Sequence, residues 1–477
     1  MFALSLLFAA GLARAAAPAE AVAEALPADG GAWSVGGPVA AADPGPWWPR
    51  FDDPALSAVV EATLSGNGDH AAAWERAEAA RFRAGVALAP ALPTVAFEHR
   101  QTEAPSESLG FQFGGIPQAP GAPAPPDTFT TGSDLFTAAW TVDLFGRTLM
   151  AWKGSRWDAK AAEGDRQAQA IALATAAAEA YYDLVLARAR VRVVEDQLAR
   201  ARELHALVEL RYQGGTATST ELLQQRQQLA TIEAALPGAQ AAVDRTVLRL
   251  RALMGEDPSA PRAVPTADAL PAGLPAAPAL GRPVDLLRTR PDVAAAVAQL
   301  TAADARAWSA LVGLLPTLTL SGNTGQQFFE LTERREQDIW GATFVVSVPL
   351  FQGGRNIQSA RDTAATERAA RATAQQRLRV AVQEVEDALR VESQRAAELD
   401  ARGRQAEAAR MAWEDARIRY QRGLEPYQNV LTAFVSFANA ELLQLQARRD
   451  LVSARIQLQD ALGGTWARDT EPGGSSR

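Results

Sequence analysis

The 477-residue sequence contains no cysteine. That excludes thiolate catalysis, cysteine-ligated metals, disulfides and an acyl anchor on a cysteine, and it leaves the compartment open. Lysine is nearly absent beside arginine, while alanine is very abundant, a bias that a GC-rich genome would impose as readily as any function. The three histidines, His70, His99 and His205, lie in different segments with no metal-ligand spacing. No nucleophile–base pair, phosphate loop or carboxylate dyad stands out, so no catalytic residue, cofactor or metal site is assigned. Glu384, Glu386 and Asp387 read as a solvated helix face. The net charge of −8 and a pI near 5.3 argue against a nucleic-acid partner. Beyond the N-terminus no run of about 18 apolar residues occurs, so no transmembrane helix is expected.

The N-terminus is apolar from Met1 to Leu12, followed by Ala13-Arg14-Ala15. Residues 1–15 read as a secretory signal peptide lacking the usual basic start. An exported chain without an apolar helix is expected in the periplasm, outside the cell, or in the outer membrane as strands. Residues 16–50, rich in Ala, Gly and Pro, are expected to be extended. Residues 256–284 form a Pro-rich connector, and residues 467–477 a disordered tail.

Between these segments the chain repeats itself, over 51–255 and 285–466. Each half ends a very long helical run at a similar turn. The first is Arg211-Tyr212-Gln213-Gly214-Gly215, within a hairpin tip over 211–218. The second is Arg419-Tyr420-Gln421-Arg422-Gly423, within a tip over 419–426. Glycine supplies the left-handed backbone that stops a helix. Helices are expected over about 54–91 (interrupted near Gly66-Asn67-Gly68), 150–212, 219–254, 286–314, 356–421 and 427–462. In the second of these a heptad places Leu184, Val191, Leu198, His205 and Tyr212 on one seam. Ala187, Val194, Ala201 and Val208 lie on the other, as in a coiled coil.

Four segments change the period to two: about 92–102, 134–144, 315–324 and 340–350. Val95, Phe97 and His99 alternate with Thr94, Ala96, Glu98 and Arg100; Phe136, Ala138, Trp140 and Val142 alternate with Leu135, Thr137, Ala139, Thr141 and Asp143. In the second half, Leu318 and Leu320 oppose Thr319, Ser321 and Asn323, and Trp340, Ala342, Phe344, Val346 and Val348 share one face. A charged loop is expected over about 325–338. Strands of about ten residues suit a tilted bilayer crossing. Four strands cannot close a membrane barrel, and lipid does not tolerate open edges, so a spanning sheet requires several chains. A soluble sheet packed on helices is the alternative.

The marks that carry a resemblance are Thr141-Val142-Asp143-Leu144-Phe145-Gly146-Arg147, Leu270-Pro271-Ala272-Gly273-Leu274-Pro275, Arg290-Pro291-Asp292-Val293, Val348-Pro349-Leu350-Phe351-Gln352-Gly353-Gly354, Glu384-Val385-Glu386-Asp387-Ala388-Leu389, both Arg-Tyr-Gln turns, and Ala461-Leu462-Gly463-Gly464-Thr465-Trp466. Over about 47–466 the chain resembles the outer-membrane factor family, TolC-like channels of the NodT/OprM type that serve RND efflux pumps. The resemblance implies a mainly α fold with a small β part. Duplicated helical hairpins form a tunnel, and four strands per chain build a twelve-stranded barrel in a homotrimer. It implies an outer-membrane location in a Gram-negative bacterium, with most of the mass in the periplasm. The partners it implies are outer-membrane lipid, a periplasmic adaptor (membrane fusion) protein and an inner-membrane RND transporter. The function implied is passive export of drugs, other small molecules or metal ions. A type I protein-secretion duct would share this architecture, and a soluble periplasmic coiled-coil scaffold stands as the reading from another class.

The resemblance also places the hairpin turns at the periplasmic tip. Candidate gating residues there are Glu221, Arg211, Tyr212, Arg419, Tyr420, Asn429 and Thr432; candidate adaptor-docking positions are Gly214, Gly215, Gly423 and Leu424. The family often carries acidic residues after the second turn, where this chain has Asn429 and Thr432. Many members also carry an acylated cysteine after the signal; with none here, anchoring is expected to rest on the barrel. Asp143 is expected to face the lumen or to pair with Arg147.

Overall fold

The computed structural model describes residues 18–27, 31–34, 45–106, 126–257, 259, 264–267, 269–330, 333–464 and 466. The signal-peptide and tail expectations, 1–15 and 467–477, lie outside them. In chain order the α and β elements are α1 (Pro18–Ala23), α2 (Pro54–Gly66), α3 (Gly68–Leu88), β1 (Thr94–Pro105), β2 (Thr128–Val142), α4 (Arg147–Gln213), α5 (Ser219–Leu253), α6 (Leu286–Thr289), α7 (Pro291–Val312), β3 (Thr317–Glu330), β4 (Arg334–Ser347), α8 (Arg355–Gln421) and α9 (Tyr427–Leu462). The fold is mostly helical with four antiparallel strands.

Local chemistry sets the helix ends. Asp53 accepts from the backbone N–H groups of Ala55 and Leu56 at 3.0 and 3.1 Å, with Pro54 in the first turn. The helix expected over 286–314 is broken at Arg290, whose backbone is extended; Pro291 clashes with an α conformation in the residue before it. Residues 16–50 are not extended throughout. Pro18-Ala19-Glu20-Ala21-Val22-Ala23 forms α1, where proline starts a run of good helix formers. Its Ala21 carbonyl accepts from Gln375 Nε2 of α8 at 2.8 Å.

The described residues form two compact units, and neither follows the sequence repeat. Unit 1 comprises 1–78, 161–297 and 371–477; unit 2 comprises 79–160 and 298–370. α4 and α8, each of 67 residues or about 100 Å, contribute to both.

Unit 1 holds the main core. Trp47, Trp48, Phe51, Leu56, Val59, Tyr181, Tyr182, Leu250, Ile456 and Trp466 pack together, with Trp48 and Trp466 edge to face at 4.7 Å. The connector joins this core through buried Val264 and Leu270, and the Ala267 N–H donates to Tyr181 Oη at 2.9 Å. Farther along, α4, α5, α8 and α9 close around Val194, Leu198, Ala201, Ile232, Trp413, Phe434 and Phe437. The seam Ala187–Val194–Ala201–Val208 is buried throughout, whereas Val191 and His205 are half-buried and Tyr212 is exposed. A 3.6-residue helix drifts from a strict seven-residue repeat, and Leu204 takes the buried place on that seam. α4 is also the helix long and apolar enough to cross a membrane by composition; 67% of that stretch is buried within the protein, so core packing accounts for its apolarity.

Unit 2 holds one sheet, ordered β1-β2-β3-β4 with every neighbour antiparallel. The strands have 12, 15, 14 and 14 residues, longer than the ten expected. Most of the stretch expected as a charged loop, 325–338, is strand. Gln326 pairs with Asp338, and Phe328, packed under the Arg334 guanidinium, pairs with Glu336. Phe328 lies over Gly132, where an added Cβ would come within 2.3 Å of its ring.

Candidate functional site

The register decides which side chains share each face of the sheet. Val95 faces Ala138, which faces Gly322, which faces Ala342; Phe97, Phe136, Thr324 and Trp340 form the next row, and Trp140, Leu320 and Phe344 another. All these positions share one phase of the pleat, so the four apolar stripes merge into one face. The opposite face carries Thr94, Ala96, Thr137, Ala139, Thr141, Thr319, Ser321, Asn323 and Thr343, with Thr141 and Thr319 hydroxyls 3.4 Å apart.

Among the described residues no layer covers the apolar face. Trp340 is 82% exposed, and Val95, Phe97, Phe136 and Phe344 are likewise exposed. This removes the alternative of a sheet packed on its own helices. The stripes run from Phe136 to Val142 and from Trp340 to Val346, and exposed Leu144, Val348 and Leu350 extend the apolar surface just past the strand ends, which together suits a tilted crossing of about 9–11 residues. Beyond them the face turns polar, with His99 Nδ1 2.6 Å from Asp134 Oδ1 and Gln326 Nε2 donating to Asp338 Oδ1 at 3.1 Å. β1 pairs only with β2, and β4 only with β3, so both outer strands present unmatched backbone groups.

At the hairpin turns, Gly215 (φ 70°) and Gly423 (φ 77°) adopt the left-handed conformation. The Gly215 N–H donates to the Tyr212 carbonyl at 3.0 Å and the Thr216 N–H to Arg211 at 2.8 Å. The second turn repeats this with Gly423 to Tyr420 at 2.9 Å and Leu424 to Arg419 at 2.9 Å. Both are glycine-terminated helix ends whose last carbonyls are satisfied by the turn itself.

The side chains break the symmetry. Arg211 reaches across: its Nη1 donates to the Tyr420 carbonyl, and its guanidinium lies 4.4 Å from the Tyr420 ring centre. Tyr420 is buried beside Tyr427, Leu204, Val208, Leu222 and Val430, whereas Tyr212 is exposed. Burial, then the Glu221 carboxylate, pushes the Tyr420 phenol upward, against Arg211. Glu221 accepts from the Thr218 N–H at 3.3 Å and its own N–H donates to Thr218 Oγ1 at 3.2 Å, a capping box. Arg419 pairs with Asp415 one turn back at 2.8 Å. Asn429 Nδ2 donates to Glu425, and Thr432 Oγ1 to the Gln428 carbonyl at 2.9 Å. Sequence reasoning missed Gln225 and Tyr427: Tyr427 Oη donates to Gln225 Oε1 at 2.7 Å, and Gln225 Nε2 to the Ala201 carbonyl at 2.8 Å. Buried polar groups need partners, and the Tyr427 spacing from Gly423 was the available signal.

Two other expectations change. Asp143 neither pairs with Arg147 nor stands free; its Oδ2 accepts from the Leu149 N–H at 2.9 Å and caps α4. Glu384 and Glu386 are not simply solvated. Glu384 lies 2.5 Å from the buried Arg290, and Glu386 accepts from the Ser34 N–H at 2.6 Å. Arg290 also binds Asp292 at 2.8 Å, and Arg377 reaches the same carboxylate at 2.6 Å.

A family model described as outer membrane efflux protein matches residues 59–256 and 283–464. The chain is 29% identical over 427 residues to the pyoverdine export outer membrane protein OpmQ of Pseudomonas putida, covering 89% of each. It is 26% identical over 348 residues to the cation efflux system protein CusC of Escherichia coli, covering 71% of this chain and 73% of the other. Among solved structures, the outer-membrane channel OprN is 28% identical with a TM-score of 0.76, covering 91% of this chain and 96% of the other.

Proposed function

Because the chain belongs to the outer membrane efflux protein family, it is an outer-membrane channel of an efflux system, and we propose that three copies close its open sheet into one twelve-stranded barrel. The observation that carries this is the four-stranded sheet with one exposed apolar face and two unpaired edges. In hydrocarbon each unsatisfied backbone group costs several kcal/mol, so the edges must meet those of neighbouring copies. The smaller polar side chains then line the lumen.

The duct is passive and draws its energy from an inner-membrane RND transporter through a periplasmic adaptor. Exposed Leu424 and the glycine turns at Gly214, Gly215 and Gly423 offer the adaptor a closely approachable surface. Arg211, Tyr420 and Glu221 hold the turns together within a protomer; Tyr212, Arg419, Asn429 and Thr432 lie where a neighbouring copy can meet them. Opening the duct shifts these hairpins between two packings. The relatives' names range from pyoverdine to cations, which supports small-molecule export and leaves selection to the pump.

Purified protein in planar bilayers tests the reading. Discrete ion-conducting steps from a species of three copies are expected. A water-soluble monomer without conductance would overturn it.

A further inference from the structure

The only two lysines of the chain, Lys153 and Lys160, lie in the second and fourth turns of α4, the helix that follows the membrane end of β2. At about 100° per residue, Leu149, Trp152, Lys153, Arg156, Trp157 and Lys160 fall on one face of that helix. Lys153, Arg156 and Lys160 are exposed, and both tryptophans are half-buried. The Arg156 guanidinium lies 4.8 Å from the Trp152 ring and the Lys160 ammonium 4.4 Å from the Trp157 ring. None of the three cations pairs with a carboxylate among the described residues. The opposite face is the one that packs on α7: a Cβ at Gly154 would lie 3.3 Å from the Ala302 carbonyl oxygen, and Asp158 binds Arg306.

Resting on the reading of the apolar sheet face as lipid-facing, we propose that this face of α4 binds the anionic phospholipid headgroups of the periplasmic leaflet. Three observations point there. β2 ends at Val142 on the apolar phase of Trp140, and exposed Leu144, Phe145 and Leu149 carry apolar surface through the turn to the start of α4. Side chains on a helix lean toward its N-terminus, which here is the membrane end, so the lysines and Arg156 tilt toward the bilayer and their stems can snorkel along it. Tryptophan beside basic residues is the chemistry of the membrane–water interface, with an apolar ring body, a polar N–H and a cation for phosphate.

The sequence repeat supplies an internal control. Aligned on Arg147 and Arg355, each of which follows a glycine of positive φ, the matching positions of α8 are Ile357, Ala360, Arg361, Ala364, Ala365 and Arg368. The long-helix fold is built there without tryptophan or lysine. Arg361 and Arg368 keep a cation at the places of Lys153 and Lys160, so the features of α4 that the fold does not require are the two tryptophans and the third cation, Arg156.

Tryptophan quenching by brominated lipid tests this in vesicles of phosphatidylcholine with one quarter phosphatidylglycerol, bromine being placed on one lipid or the other. Wild-type protein should be quenched more strongly when phosphatidylglycerol carries the bromine, and 0.5 M NaCl should remove the difference. In K153Q/R156Q/K160Q the preference should fall by about fivefold for each cation removed at low salt. Equal quenching by the two lipids in the wild type, or an unchanged preference in the variant, would overturn the proposal while leaving the barrel intact. Quenching by neither lipid would overturn the lipid-facing sheet itself. If the triple variant fails to assemble, the wild-type comparison and its salt dependence still decide.

Discussion

The Arg211 guanidinium lies 4.4 Å from the centre of the Tyr420 ring and its Nη1 donates to the Tyr420 carbonyl. The residue that ends one long helix therefore clasps the end of the other. The matching residue of the second turn, Arg419, turns back onto its own helix at Asp415. A duplicated turn has become a one-way latch between two hairpins.

That latch predicts a direction. Arg211→Ala removes a cation–π contact of about 1–2 kcal/mol and leaves a carbonyl exposed to looser packing, so single-channel conductance in planar bilayers should rise. Arg419→Ala, which removes only an exposed pair with Asp415 worth about 0–1 kcal/mol within the protomer, serves as the comparison. Unchanged conductance in Arg211→Ala would remove this contact from the gate.

The two faces of β4 should answer differently to charge. Phe344→Arg places a cation on the lipid face, where it costs about 2–4 kcal/mol near the bilayer midplane. Thr343→Arg places it on the polar face. Heat-modifiable migration of outer-membrane extracts should be lost or shifted to lower temperature in the first and kept in the second. Equal sensitivity would contradict the assignment of faces.

Asp292 links pH to stability. Burial alone would raise its pKa, but Arg290 and then Arg377 outweigh this and hold it below the ordinary carboxylate range. For a depressed carboxylate, the stabilisation is complete above the unfolded pKa and fades as pH falls through the folded one. Asp292→Asn breaks a largely buried pair and should cost about 3–5 kcal/mol at pH 7. The gap to wild type in thermal unfolding should narrow as pH falls below the usual carboxylate range. A gap that stays constant would show that the carboxylate charge is not what stabilises this junction.

These contacts also mark where the sequence was readable. Period-two alternation at Phe136–Val142 and Trp340–Val348 correctly set the faces, because each strand segment meets lipid on one side only. It failed over 325–338, where Phe328 and Phe329 fall one on each face among polar residues and no alternation survives to announce a strand. Gly215 and Gly423 announced the turns through local backbone chemistry. The Arg211–Tyr420 contact, 209 positions apart in sequence, had no local signal, and neither did the pairing of Glu384 with Arg290. The pairing of Asp143 with Arg147 failed because its partner is a backbone N–H, not a side chain.

Covalent capture of the sheet edges tests the central claim. The chain has no native cysteine, so Glu98→Cys on β1 combined with Thr343→Cys on β4 gives one thiol at each edge, both on the polar face. A flexible bis-maleimide applied to outer membranes should yield a denaturing-gel ladder that stops at three copies, because β1 of one copy lies beside β4 of the next. Monomer alone, or a ladder that runs past three, would contradict the closed trimeric barrel.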